Sequence, residues 1–252
     1  MDAWGKISGV RVQGRRNLSV SDAHVRAEKG DSMTHTSFII RDVRLEKRAA
    51  SARYTPVWLT TERGEIACRF YGAGDTLRVV VWVGGVGGGW DSPAHEMYPR
   101  LAEELTSEGI ASLRLRYRHP QRLDDAVFDV KAGIDYLQGE GMDHIALVGH
   151  SLGGAVVIQA AAGNPDVRTV VTLAAMSYGT ELVREFMPTT SLLLLHGGAD
   201  TVLPASCSRV IHDRATVYKR ISVLPQAGHV LDESADEVCR TVRKWLLEEL
   251  AE

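Results

Sequence analysis

Cysteine is scarce in this 252-residue chain, which carries Cys68, Cys207 and Cys239 and no others. Odd in number and far apart, they fit neither a disulfide framework nor the close ligand pairs of a zinc site. Reduced thiols in a cytoplasmic protein are the simplest expectation. Long hydrophobic runs are missing as well. Nothing approaches the roughly 18 to 20 apolar residues that span a bilayer, and the N-terminus lacks the apolar core of a signal peptide. Nor does charge of one sign accumulate: 29 Lys and Arg stand against 32 Asp and Glu, a net charge of −3. That balance argues against a nucleic-acid partner held through phosphate contacts. His95, His119 and His144 have no clustered ligand partners in the sequence, so neither a metal nor another cofactor is expected. Nothing in the sequence sets an oligomeric state.

What is present is an ordinary globular composition, 44% hydrophobic and 24% charged, in a length suited to one large α/β domain. Residues 1–52 show no sustained hydrophobic period; Arg11, Arg15, Arg16, Arg26 and Lys29 alternate with Gly, Ser and Asp. They are expected to be a disordered or loosely attached extension to a domain over 53–252, a solvated segment rather than a docking tail for an acidic partner. Met33 is an alternative start to Met1, which mass spectrometry of the native N-terminus distinguishes. From Pro56 the pattern turns to strand. Val57 to Thr61 and Ile66 to Tyr71 flank Glu62-Arg63-Gly64-Glu65 and predict an N-terminal β-hairpin.

Leu77 to Val83 then reads as a central strand. Further strand patterns at Ile110 to Tyr117, Ile145 to Val148, Val167 to Ala175, Ser191 to His196 and Val217 to Leu224 follow. Between several of them lie helical stripes, such as Ala94, Met97, Leu101 and Leu105, or Val127, Val130, Ile134 and Leu137. A closing helix carries Ala235, Val238, Val242, Trp245 and Leu246 on one face. Regular alternation with short connections predicts an α/β fold, with a mainly parallel central sheet and helices on both faces. Only about a dozen residues, Ser177 to Thr190, join two of the strands, which leaves no room for a cap domain.

Two stretches carry chemistry. Gly84-Gly85-Val86-Gly87-Gly88-Gly89 follows a strand, but it lacks the Gly-Lys-Ser/Thr of a phosphate-binding loop. It also fails the dinucleotide fingerprint, because Trp90 stands where the third glycine belongs. Such a loop brings backbone N–H groups close to a ligand oxygen without side-chain obstruction. The second stretch is Gly149-His150-Ser151-Leu152-Gly153-Gly154, set between a buried strand and a tightly packed helix. There the pattern Gly-x-Ser-x-Gly holds the serine on a strained turn with its hydroxyl clear of the sheet. Beyond it lie His196-Gly197-Gly198-Ala199-Asp200-Thr201-Val202-Leu203-Pro204 and Ala227-Gly228-His229, each after a strand.

Those three motifs, in that order, make the chain from about Thr55 onward resemble the α/β-hydrolase superfamily, in its compact, lidless, dienelactone-hydrolase-like or small carboxylesterase-like branches. The dienelactone-hydrolase-like branch typically uses cysteine as nucleophile, where this chain has Ser151. The resemblance implies a catalytic triad of Ser151 as nucleophile, His229 as base and Asp200 as acid. It also implies an oxyanion hole from the N–H groups of Leu152 and Val86, although Gly84-Gly85 stands where many members have His-Gly. Gly85, Trp90 and Asp91 are candidate substrate contacts. Ser92 and Tyr117 also lie on loops that line such a pocket, where capping and turn roles are the plainer reading. Asp232 and Glu181 are competing acids, the first fitting a helix cap better. His150 and His196, beside the catalytic turns, read as packing or hydrogen-bonding residues. The implied activity is a serine esterase or thioesterase acting on a small acyl substrate. A peptidase with the same triad and a non-catalytic binding protein on the same fold are the alternatives.

Overall fold

The computed structural model describes residues 39–251. The expectations for residues 1–38, including the start at Met1 or Met33, lie outside the described residues. The chain runs β1 (Ile40–Leu45), β2 (Thr55–Thr61), β3 (Gly64–Tyr71), β4 (Arg78–Val83), α1 (Pro93–Glu104), β5 (Ala111–Arg116), α2 (Leu123–Gly139) and β6 (His144–His150). It continues with α3 (Leu152–Ala161), β7 (Val167–Leu173), β8 (Ser191–Gly197), α4 (Ser206–Arg214), β9 (Lys219–Leu224) and α5 (Ala235–Glu249). The strands form one sheet in the order β1-β2-β3-β5-β4-β6-β7-β8-β9. From β5 to β9 every neighbouring pair is parallel, while β1, β2 and β3 join antiparallel at one edge. The expected hairpin is β2–β3, closed by Glu62 and Arg63 with Thr61 opposite Gly64.

Side-chain pattern explains which strands sit where. In β2 Val57, Leu59 and Thr61 are buried while their neighbours are half-buried, the alternation of a strand covered on one face. In β4 every residue after Arg78 is buried, and β8 is buried throughout, as strands covered on both faces must be. Val79, Val81 and Val83 pack with residues of α2 and α3 on one face. Val80 and Trp82 pack with α1 and α5 on the other. Trp82 lies against Tyr98 of α1, with ring centroids 5.2 Å apart. Among the described residues no helix is long and apolar enough to cross a membrane.

Two features depart from the sequence reading. Ile40–Leu45, within the segment expected to be loose, is a strand paired with β2; its run Ile-Arg-Asp-Val-Arg-Leu has too few apolar residues to be recognised alone. The first turn of α1 is also irregular. Ala94, His95 and Glu96 have φ of 52°, 51° and 59°, so the right-handed helix begins only at Met97. Pro99 gives the reason. A continuous helix from Pro93 would place the proline ring against the carbonyl of residue 95, whereas a start at Met97 leaves Pro99 in the first turn, where its missing N–H has no partner to lose. The Ser92 hydroxyl accepts from the Tyr98 N–H at 2.8 Å, capping the later start.

The sheet order also fixes where a ligand can sit. After β4 the chain goes to β5 on one side, then crosses to β6 on the other. The connections diverge at the carboxyl ends of β4 and β6 and open a crevice there, where open parallel sheets bind ligands. The link from β7 to β8 carries only the 3-10 turn Glu181–Glu185.

Candidate active site

Ser151 stands at that crevice, between β6 and α3. Its backbone has φ 56° and ψ −116°, a region that costs a non-glycine residue of order 1–3 kcal/mol. The fold imposes it through close approach. A Cβ on Gly149 would lie 2.1 Å from the Gly153 carbonyl oxygen, and one on Gly153 would lie 2.4 Å from that of Gly84. Side chains at either position would push strand and helix apart and flatten the turn. The Ser151 N–H donates to Leu173 O at 2.9 Å, and its carbonyl accepts from Gly154 N–H at 3.1 Å and Met176 N–H at 3.3 Å.

His229 and Asp200 reach the same point from the loops after β9 and β8. Ser151 Oγ is 3.0 Å from His229 Nε2, and His229 Nδ1 is 2.8 Å from Asp200 Oδ2. Asp200 Oδ1 accepts the N–H groups of Val202 at 2.8 Å and Leu203 at 2.9 Å. The Asp200 side chain has no exposed surface, while His229 keeps 17%. Burial pushes the Asp200 carboxyl up, but the hydrogen bonds from His229, Leu203 and Val202 outweigh it and hold the group below its ordinary range. An ionised acceptor at Nδ1 leaves Nε2 of His229 as the nitrogen that accepts from the serine hydroxyl.

Two more histidines complete the surroundings. His150 Nε2 donates to the His229 carbonyl at 2.9 Å, and the two rings lie 4.9 Å apart. Burial, with the like charge of His229, pushes His150 down to about 4. His196 is fully buried, with Nε2 3.0 Å from Leu203 O and Nδ1 2.7 Å from Ser208 Oγ on α4. The sequence reading named both residues but assigned them no partners; Ser208 it missed, since a lone serine on a short helix gives no signal.

The other expected residues are placed as follows. Gly85 is at the serine turn: a Cβ there would meet Ser151 Cβ at 3.3 Å, and Val86 follows it. Leu152 is the first residue of α3, so its N–H has no carbonyl one turn earlier to bond. Trp90 stacks on the Arg69 guanidinium at 4.0 Å, and its carbonyl accepts from Arg114 at 2.7 Å. Asp91 packs beneath the glycine loop against Gly84 and Gly87. Tyr117 is buried in the core beside α2. Neither competing acid meets His229: Asp232 accepts from the His95 N–H at 2.8 Å, and Glu181 pairs with Arg214 at 3.2 Å. Among the described residues no group of His, Cys, Asp and Glu is arranged to hold a metal ion.

A family model described as an alpha/beta hydrolase family matches residues 79–190, from β4 through the serine turn. A search of curated proteins finds no match. Similar solved structures include Est1E from Butyrivibrio proteoclasticus, at 17% identity and a TM-score of 0.68 over 78% of this chain and 99% of that one. A dienelactone hydrolase from Anabaena variabilis is similar at 17% identity and a TM-score of 0.68, over 79% and 99%. An esterase domain from a Rhodothermus marinus protein is similar at 22% identity and a TM-score of 0.63, over 79% and 100%. At such identities the likeness to these structures is one of fold. The family match runs across the β4 and β6 loops that form the crevice, and together with these structural likenesses it shows that the chain has the α/β-hydrolase fold.

Proposed function

We propose that the protein is a serine hydrolase that cleaves a carboxylic ester or thioester through an acyl-serine intermediate. The observation that carries this reading is the unbroken line from Ser151 Oγ to His229 Nε2, 3.0 Å, and from His229 Nδ1 to Asp200 Oδ2, 2.8 Å. A neutral serine hydroxyl is a poor nucleophile. As Oγ attacks the acyl carbon, His229 takes its proton and returns it to the departing alcohol or thiol; a water deprotonated by the same imidazole then releases the acid. Asp200 holds the His229 tautomer and stabilises its cation. The oxyanion accepts from the N–H groups of Leu152 and Val86, each such donor contributing about two to three orders of magnitude in rate. The three cysteines are free thiols, the state a reducing compartment maintains, so the proposal assigns the reaction to the cytoplasm.

The acyl or alkyl group is read as apolar. Val86, Tyr178, Val202 and Val230 are 53%, 74%, 65% and 46% exposed. They lie one each on the loops after β4, β7, β8 and β9, which surround the serine turn at the carboxyl ends of the strands. A fluorophosphonate probe tests the mechanism: labelling at Ser151, abolished in Ser151→Ala, is expected. A folded protein that stays unlabelled and leaves nitrophenyl esters and acyl thioesters of every chain length intact refutes the reading. Among those esters, kcat/KM is expected to rise from acetyl to medium chains.

A further inference from the structure

We infer that His196 is a positioning residue for Asp200, acting with Ser208 as a brace behind the acid; this rests on the serine-hydrolase reading above. His196 is the penultimate residue of β8 and has no exposed side-chain surface. Its Nε2 faces two oxygens, the Leu203 carbonyl at 3.0 Å and Asp200 Oδ2 at 3.3 Å. Neither oxygen is a donor, so the ring carries its proton on Nε2. Nδ1 is then the acceptor for the Ser208 hydroxyl at 2.7 Å, and Ser208, fully buried on α4, fixes both tautomer and ring plane.

The consequence falls on Asp200 by two routes. The Leu203 carbonyl that His196 grips belongs to the residue whose N–H donates to Asp200 Oδ1 at 2.9 Å, so the histidine pins the turn that orients the carboxylate. Its N–H edge also stands beside Oδ2, the oxygen that meets His229 Nδ1 at 2.8 Å, and places positive partial charge there. Asp200 is thus held from the turn, from the base and from the strand end behind it. Without this third contact the carboxylate is held only by the turn N–H groups and by His229 itself, and its alignment with His229 loosens. Misplacement on that scale costs about a hundredfold in rate at most and leaves substrate binding alone. An unbraced buried histidine would in addition be an unexplained expense in a β8 whose other inward residues are leucines.

The test uses two substitutions of similar length, His196→Gln, which keeps an N–H donor, and His196→Met, which does not. Steady-state kinetics on a nitrophenyl ester, a kcat/KM pH profile and thermal unfolding are measured for each. In His196→Met kcat is expected to fall about tenfold or more with KM within about twofold of the parent. The acidic limb of its kcat/KM profile is expected to move as well, because the partner that orients the base is no longer held in line with it. His196→Gln is expected to stay within about threefold of the parent. If His196→Met is folded and matches the parent in kcat and in the limb, the inference is overturned, whatever its melting temperature. Should that variant fail to fold, Ser208→Ala decides: a smaller fall in kcat with the same limb shift supports the brace, and unchanged values overturn it. An unreactive parent protein would instead refute the hydrolase reading itself.

Discussion

Ser151 sits where an L side chain is disfavoured; close packing imposes the turn, and the proposed mechanism gives its hydroxyl a use there. Replacing it separates the two. Ser151→Ala removes the hydroxyl and keeps the backbone strain; Ser151→Gly removes both. Both variants are expected to lose fluorophosphonate labelling, but the glycine variant is expected to be about 1 kcal/mol more stable than the alanine variant, the strain relieved less the added entropy of the unfolded chain. Equal unfolding midpoints in urea would show that the turn is not strained. Most of the residues to which the proposed mechanism assigns this chemistry were named from the sequence. Ser151 is announced by the glycines at 149 and 153, which the close contacts with Gly153 O and Gly84 O demand, and Asp200 and His229 each follow a strand pattern in the right order. Ser208 and the partners of His196 were not legible, because a buried polar contact between a strand end and a short helix leaves no periodic trace in either segment.

At the scale of elements, α1 is the instructive case. Its buried stripe of Ala94, Met97, Leu101 and Leu105 was readable from spacing, and all four are buried. The left-handed turn at Ala94 to Glu96 was not read, since it follows from Pro99 acting four residues upstream rather than from any local turn residue. That turn is held on the segment that follows His229: the Ala94 N–H donates to Val230 O at 2.8 Å and the His95 N–H to Asp232 Oδ1 at 2.8 Å. Each left-handed L residue costs about 1–2 kcal/mol. His95→Gly, at an exposed side chain, is therefore expected to raise the unfolding midpoint even though glycine loosens the unfolded chain. A lowered midpoint would mean that the His95 ring, 3.6 Å from Asp232, contributes more than the backbone strain costs. The edge strand β1 escaped notice for a different reason. With one neighbour and a half-exposed face, it needs little apolar content, and its place is set by pairing with β2.

For the whole molecule, His150 links stability to pH. Its folded-state value of about 4 lies below the roughly 6.5 of an unfolded histidine. Between those values the unfolded chain binds a proton that the folded one refuses. The stabilisation is fully present above about pH 6.5 and is lost as pH falls towards 4, amounting to roughly 3 kcal/mol at most. Urea unfolding at pH 7 and pH 4.5 is expected to show this decline in the parent and a smaller one in His150→Gln, which keeps a donor for the His229 carbonyl. Identical declines would assign the acid sensitivity to other groups. One consequence of the sheet order remains. Ser151 and His229 are 78 residues apart in the chain, and β7, β8 and β9 must be laid down side by side before His229 can reach Ser151. During synthesis the serine therefore leaves the ribosome long before anything can deprotonate it. On the proposed mechanism the newborn chain stays inert towards esters until its last parallel strand has docked, so that appearance of activity would report completion of the fold.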